Sequence, residues 1–159
     1  MSIQVDDMMP YGQFQVMGDN GPENVDVTEF FSGKRVIMFA VPGAFTPTCS
    51  ISHLPGFVVH FDAFKEKCID EIVCLSVNDV FVMDAWGKAN NAENLVMAAD
   101  GLAELTTSLG LELDISTAKL GIRSRRYAML VDNGIVSNLW LEEPGEYKIS
   151  SAEHVLSQI

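Results

Sequence analysis

The chain has 159 residues, 48% of them hydrophobic and 20% charged, enough for one domain (residues 1–159) with its own buried core and no signature of disorder. Against 22 Asp and Glu stand 10 Lys and Arg, and the formal charge of −12 argues against nucleic acid or an anionic membrane as partner, since either needs a basic patch. The 3 cysteines, Cys49, Cys68 and Cys74, are too few for a disulfide framework.

The opening segment, Met1 to Asp7, has neither a basic nor an apolar leader pattern, and the most apolar stretch, Val36 to Phe45, is too short for a membrane span. A reducing, cytoplasmic location is expected. Along the chain, Phe14 to Met17, the turn cluster Gly18 to Pro22 and Val25 to Val27 predict a β-hairpin, followed by a helical turn from Thr28 to Phe31. Arg35 to Val41 is a near-continuous apolar run, as in a strand buried on both faces. A helix begins at Pro47, with Leu54, Phe57, Val58, Phe61 and Phe64 forming its core-facing stripe.

Next come a strand from Glu71 to Val77, a helix capped by Asp79 and running toward Lys88, and a short strand from Asn94 to Ala98. Leu102 to Leu109 predicts a helix stopped by Gly110. Arg126 to Asp132 and Ile135 to Leu141 flank Asn133-Gly134, the preferred pair for a type I′ hairpin turn, and a closing helix starts at Ser151. The order gives an α/β domain with a mixed central β-sheet flanked by helices.

The chemistry concentrates in Val41-Pro42-Gly43-Ala44-Phe45-Thr46-Pro47-Thr48-Cys49. With Thr46 as N-cap and Pro47 in the first helical position, Cys49 is the third helical residue. It therefore sits among unpaired N–H groups at the positive end of the helix dipole, which favour the thiolate, the nucleophilic form. Pro55 cannot donate to the Ile51 carbonyl, so the helix must kink or pause there. Such a break either lets the helix wrap the core or makes the Cys49 turn separable.

The string Pro42-x-x-x-Thr46-x-x-Cys49 resembles the active-site signature of the peroxiredoxins, and its surroundings, with His53-Leu54-Pro55-Gly56-Phe57, resemble the peroxiredoxin-5 (type II) subfamily. Cys74 to Asp79, Trp86-Gly87, Arg126 to Met129 and Asp132 to Val136 extend the likeness nearly end to end. The resemblance implies a thioredoxin-like fold and a thiol-dependent peroxidase that takes hydrogen peroxide and organic hydroperoxides through a Cys49 sulfenic acid. No cofactor or metal is implied. Thr46 would hydrogen-bond the thiolate and the peroxide, Pro42 would shield the sulfur, and Arg126 would lie beside it. Thr46 can cap the helix and serve the sulfur only if its oxygen accepts from backbone while its hydrogen points at sulfur. Phe45, His53 and Leu54 are expected to border the substrate pocket, the apolar Phe45 and Leu54 suiting bulky organic hydroperoxides. Arg123 and Arg125 are expected to be solvated charges.

Some members of the subfamily carry a resolving cysteine in the C-terminal region, but Glu146 to Ser151 contains none. Cys68 lies on the order of 25 Å along the same helix, beyond disulfide reach. Cys74, mid-strand, reads as a small buried hydrophobe, and a resolving or regulatory role stays open because its position matches a second cysteine of plant-like members. The expected reset is by an external thiol: glutathione with glutaredoxin, or thioredoxin. The resemblance also implies a homodimer with contacts around Phe45 and the segment Phe81 to Trp86.

Two other chemistries start from the same cysteine. Cys49 and His53, four apart on one helical face, could form the ion pair of a cysteine hydrolase, but no orienting residue or oxyanion site accompanies them. A non-catalytic peroxide sensor would use Cys49 oxidation once to change partner binding. No metal-ligand spacing and no Cys-x-x-Cys motif is present.

Overall fold

The computed structural model describes residues 1–159. Its N-terminal hairpin pairs β1 (Gln13–Gly18) with β2 (Gly21–Asp26). The turn is tighter than the sequence suggests, because Gly21 and Pro22 already belong to the ladder. Pro22 is tolerated because β2 is an edge strand, where a missing N–H need not break pairing. Asp26 caps α1 (Val27–Phe31) by accepting from the Glu29 N–H at 3.0 Å.

The central strands are β3 (Arg35–Val41), β4 (Glu71–Ser76), β5 (Val96–Ala99), β8 (Tyr127–Asp132) and β9 (Ile135–Leu141). With β1 and β2 they form a seven-stranded sheet in the order β2-β1-β5-β4-β3-β8-β9, with β3, β4 and β5 parallel and the remaining pairings antiparallel. Asn133 and Gly134 both adopt positive φ, 49° and 80°, as the predicted type I′ turn requires. A small hairpin of β6 (Glu112–Asp114) and β7 (Ile122–Ser124) lies outside this sheet. Its strands are only three residues each, and the alternation Leu111-Glu112-Leu113-Asp114-Ile115 is a strand signal that the sequence reading passed over.

Alternation along β3 divides the core into two layers. Ile37, Phe39 and Val41 face one side with Cys74 of β4 and Ala128 of β8, and Val36, Met38 and Ala40 face the other. The first layer is covered by α2 (Leu54–Val59), α3 (Phe61–Glu66), α4 (Val80–Ala89) and α6 (Ala152–Gln158), and the second by α1 and α5 (Glu104–Leu109). Phe57 stacks on Phe39 with centroids 4.1 Å apart and on Phe64 at 5.4 Å. Each such pair adds about 0.5–1.5 kcal/mol beyond the burial of its area and fixes the Cys49 helix to the sheet.

The helix predicted from Pro47 is four pieces. Residues 47 and 48 are helical, Cys49–His53 forms a π-turn, and α2 and α3 follow with a break at His60. The predicted kink at Pro55 is thus spread upstream: the Leu54 N–H reaches back to the Cys49 carbonyl, and Pro55, which has no N–H to place, comes next. Asp79 accepts from the Val82 N–H at 2.8 Å and caps α4, and Ser151 caps α6.

Candidate active site

The strand register places the two halves of the site. β3 and β8 are antiparallel neighbours with Ala40 opposite Tyr127, so the loop leaving β3 at Pro42 emerges beside Arg126, just ahead of β8. Asn78 accepts from the Ala44 N–H at 3.0 Å and pins that loop. Phe45 holds a left-handed φ of 64°, rare for an aromatic residue, and turns the chain into the helix. The Ser50 N–H donates to the Thr46 carbonyl at 2.9 Å, so Thr46 caps through its backbone.

The Thr46 hydroxyl donates to the Gly43 carbonyl at 2.6 Å, and its proton is not aimed at sulfur. That departs from the division of duties expected from the sequence. The nearby carbonyl is an ideal acceptor and fixes the loop instead.

Cys49 is fully buried, and its Sγ lies 3.1 Å from Nη2 of Arg126. The other terminal nitrogen of that guanidinium, Nη1, lies 2.8 Å from Nδ1 of His53, whose Nε2 is 2.9 Å from the Ser150 carbonyl. A carbonyl only accepts, so Nε2 carries the hydrogen and Nδ1 presents a lone pair to the arginine. Burial, reinforced by the Arg126 charge and opposed by the Ser150 bond, lowers the His53 pKa to about 3. The ring is neutral in the folded protein. None of the ion pairs in the molecule, His60–Glu153, Lys88–Asp84 and Lys148–Glu146, involves Arg126, so its charge is left for the sulfur.

His53 therefore belongs to the site, but through Arg126 and not as a base on Cys49. The hydrolase alternative loses its imidazolium, because the one nitrogen that could take a proton is engaged by a cation. Nor does His53 border the pocket. A small cavity of about 120 Å³ beside the site is lined by Pro42, Thr48, Arg125, Arg126 and Glu142 together with the acidic segment that follows. Phe45, His53 and Leu54 do not line it: Phe45 is solvent-exposed, with its ring 6.4 Å from Trp86, and the other two point into the core. The charged and polar groups of the cavity stand beside apolar surface from Pro42, Leu113 and Pro144.

Arg123 and Arg125 are not the solvated charges expected from the sequence. Half-buried, they donate to main-chain carbonyls, Arg123 to Val77 and Leu120 and Arg125 to Glu142. These bonds tie loops together around the site. Cys74 is fully buried on the face of the sheet that carries Cys49, and its pKa is pushed well above the ordinary thiol range. Burial is the main cause, proximity to Cys49 adds to it, and Arg126 only partly opposes. Cys68 ends α3 at an exposed, left-handed position.

Sequence reasoning missed the Trp86 indole N–H donating to the Ser50 hydroxyl at 2.9 Å, which ties α4 to the π-turn. It also missed the buried Glu142 carboxylate that gathers residues 148–150. Neither contact leaves a periodic signal.

The neutral state of His53 has a measurable consequence. The unfolded chain binds a proton there below the ordinary histidine pKa of about 6.5, whereas the folded chain resists it down to about 3. Stability falls as pH drops through that window, with up to about one proton taken up on unfolding. Urea unfolding across this range should show a shallower pH slope in His53→Asn than in wild type. Equal slopes would mean that the folded ring is protonated.

Comparisons with known proteins show the family. The Redoxin family model matches residues 4–156. Peroxiredoxin-2D of Arabidopsis thaliana is 48% identical over 159 residues, covering 99% of this chain and 98% of its own. Reduced Prx3 of Vibrio vulnificus in complex with hydrogen peroxide superposes with a TM-score of 0.96 at 47% identity, covering 98% of each chain. Peroxiredoxin 5 of Alvinella pompejana gives 0.85 at 35% identity, over 98% of this chain and 96% of that one. With the family model, the near-complete overlap and the Cys49–Arg126 pair all in agreement, the chain belongs to the redoxin family as a peroxiredoxin of the peroxiredoxin-5 (type II) kind, a thiol-dependent peroxidase.

Proposed function

We propose that Cys49 is the attacking sulfur and that an external thiol, glutathione with glutaredoxin or else thioredoxin, resets it. The observation that carries this reading is the 3.1 Å contact between Arg126 and Cys49 Sγ, made by a guanidinium with no carboxylate partner. A peroxide enters the cavity bordered by Pro42, Thr48 and Arg126. Arg126 is the group common to cavity and sulfur. Thr46, its own proton given to Gly43, offers lone pairs to the peroxide O–H.

The thiolate attacks one peroxide oxygen, an S–O bond forms and the O–O bond breaks. Negative charge passes to the departing oxygen, which takes up a proton and leaves as water or alcohol. Arg126 and the first-turn N–H groups stabilise that moving charge more in the transition state than in the ground state. Cys49 becomes a sulfenic acid. One thiol then forms a mixed disulfide with release of water, and a second thiol releases the reduced enzyme.

The state of the other cysteines supports one-cysteine turnover. Cys74 is a buried thiol held neutral, and Cys68 is exposed at the end of a different helix. The free cysteines also fit a reducing, cytoplasmic setting. Exposed Phe45, whose ring is 6.4 Å from Trp86, and exposed Phe81, on the same helix as Trp86, support a homodimer formed at the rim of the site.

Turnover of hydrogen peroxide and tert-butyl hydroperoxide should be seen with glutathione plus glutaredoxin or with thioredoxin. Cys49→Ser should abolish it, and Cys74→Ser should keep most of it. A severe loss in Cys74→Ser would overturn one-cysteine turnover, and a single equivalent consumed without recycling would favour a sensor. For the dimer, sedimentation velocity should give a mass near twice the chain, shifted toward monomer by Phe81→Glu. A monomeric wild type would contradict the rim interface.

A further inference from the structure

Glu142 is 2% exposed, yet no cation pairs with it. Its Oε2 instead accepts from four donors: the N–H groups of Lys148, Ile149 and Ser150 at 2.7, 2.9 and 2.9 Å, and the Ser150 hydroxyl at 2.7 Å. Burial alone would raise this carboxyl, but the bonds from Ser150, Lys148 and Ile149 outweigh it and hold the pKa below the ordinary value. The anion thus fixes the strap from 143 to 150, and the strap ends in the carbonyl that meets His53.

The contacts close into a ring. The Glu142 N–H donates to the Arg126 carbonyl at 3.0 Å, gripping the arginine at its backbone. From the Glu142 side chain the path runs to Ser150, from the Ser150 carbonyl to His53 Nε2, and from His53 Nδ1 to the Arg126 head group. Tyr147 of the same strap packs its ring 5.2 Å from His53 and 5.8 Å from the Arg126 guanidinium carbon. Were the strap loose, His53 could take the other tautomer and present an N–H to the arginine. Arg126 would then lose its acceptor and turn away from the sulfur.

We propose that Glu142 and His53 are positioning residues for Arg126, with Glu142 holding the strap, the Ser150 carbonyl selecting the His53 tautomer, and the His53 lone pair aiming the guanidinium at Cys49. The proposal rests on the reading of Cys49 and Arg126 given above. Truncating His53 leaves an arginine N–H buried without a partner, an expense larger than that of a neutral bond. Beyond Arg126, the titratable groups facing the pair are Tyr147 of the strap, toward the arginine, and Cys74 of β4, toward Cys49. Neither replaces the acceptor that His53 supplies.

The test uses single-turnover oxidation of the full chain by hydrogen peroxide, followed by tryptophan fluorescence over a range of pH. Thiolate absorbance and urea stability are measured in parallel. His53→Leu and Glu142→Gln should each slow the second-order reaction by about tenfold or more and move its pH profile to higher pH. His53→Asn, whose carbonyl oxygen stands close to the position of Nδ1, should recover most of the rate. Adding His53→Leu to Arg126→Met should cause no further loss, since the positioning has nothing left to act on.

Lowered stability with unchanged rate and pH profile in His53→Leu and Glu142→Gln would overturn the proposal and leave both residues structural. If Glu142→Gln fails to fold, the Leu and Asn variants of His53 decide alone. Loss of rate in Arg126→Met beside a wild-type rate in His53→Leu refutes the positioning and spares the role of Arg126. A wild-type rate in Arg126→Met refutes that role itself.

Discussion

One guanidinium shared between a sulfur and a neutral imidazole organises the site. Arg126 sits 3.1 Å from Cys49 and 2.8 Å from His53, and no carboxylate forms an ion pair with it. A carboxylate partner would neutralise its charge and weaken the field at Cys49. A neutral acceptor orients the group and leaves the charge uncompensated. Reactivity at Cys49 thus follows from what Arg126 lacks as much as from what it touches.

The fold supplies this arrangement through register and local helix geometry. The antiparallel pairing of β3 with β8 brings the Pro42 loop and Arg126 to the same end of the sheet. Cys49 opens a π-turn at the start of the helix, and the Leu54 N–H closes that turn on the Cys49 carbonyl just before Pro55. Phe39, Phe57 and Phe64 lock the helix to the sheet, while Trp86 of the same core layer holds Ser50. The reacting turn is therefore anchored by stacked rings and by a hydrogen bond, although its own backbone bonding departs from the α pattern.

Much of this was legible in the sequence where the signal is local. Thr46-Pro47-Thr48-Cys49 marks a helix start, Asn133-Gly134 a tight hairpin, and Arg35 to Val41 a fully buried strand, and each is found in that form. Resemblance over the whole chain pointed to Arg126 and to a peroxidase. What remained hidden depends on distant pairing: the Arg126–His53 and His53–Ser150 contacts join residues 73 and 97 positions apart. The same limit explains why Arg125 looked like a solvated charge and why Phe45, His53 and Leu54 looked like pocket walls. Helical spacing gives the face of a residue, but not which neighbour that face meets.

The account's central claim is that Cys49 alone among the three cysteines is set up to react with peroxide. Its most direct test is to treat the reduced protein with one equivalent of hydrogen peroxide in the presence of dimedone, which traps sulfenic acid, and to map the adduct by peptide mass spectrometry. The account predicts rapid labelling at Cys49, with Cys68 and Cys74 left as thiols. Labelling that favours Cys68 or Cys74, or that proceeds no faster than with free cysteine, would contradict it.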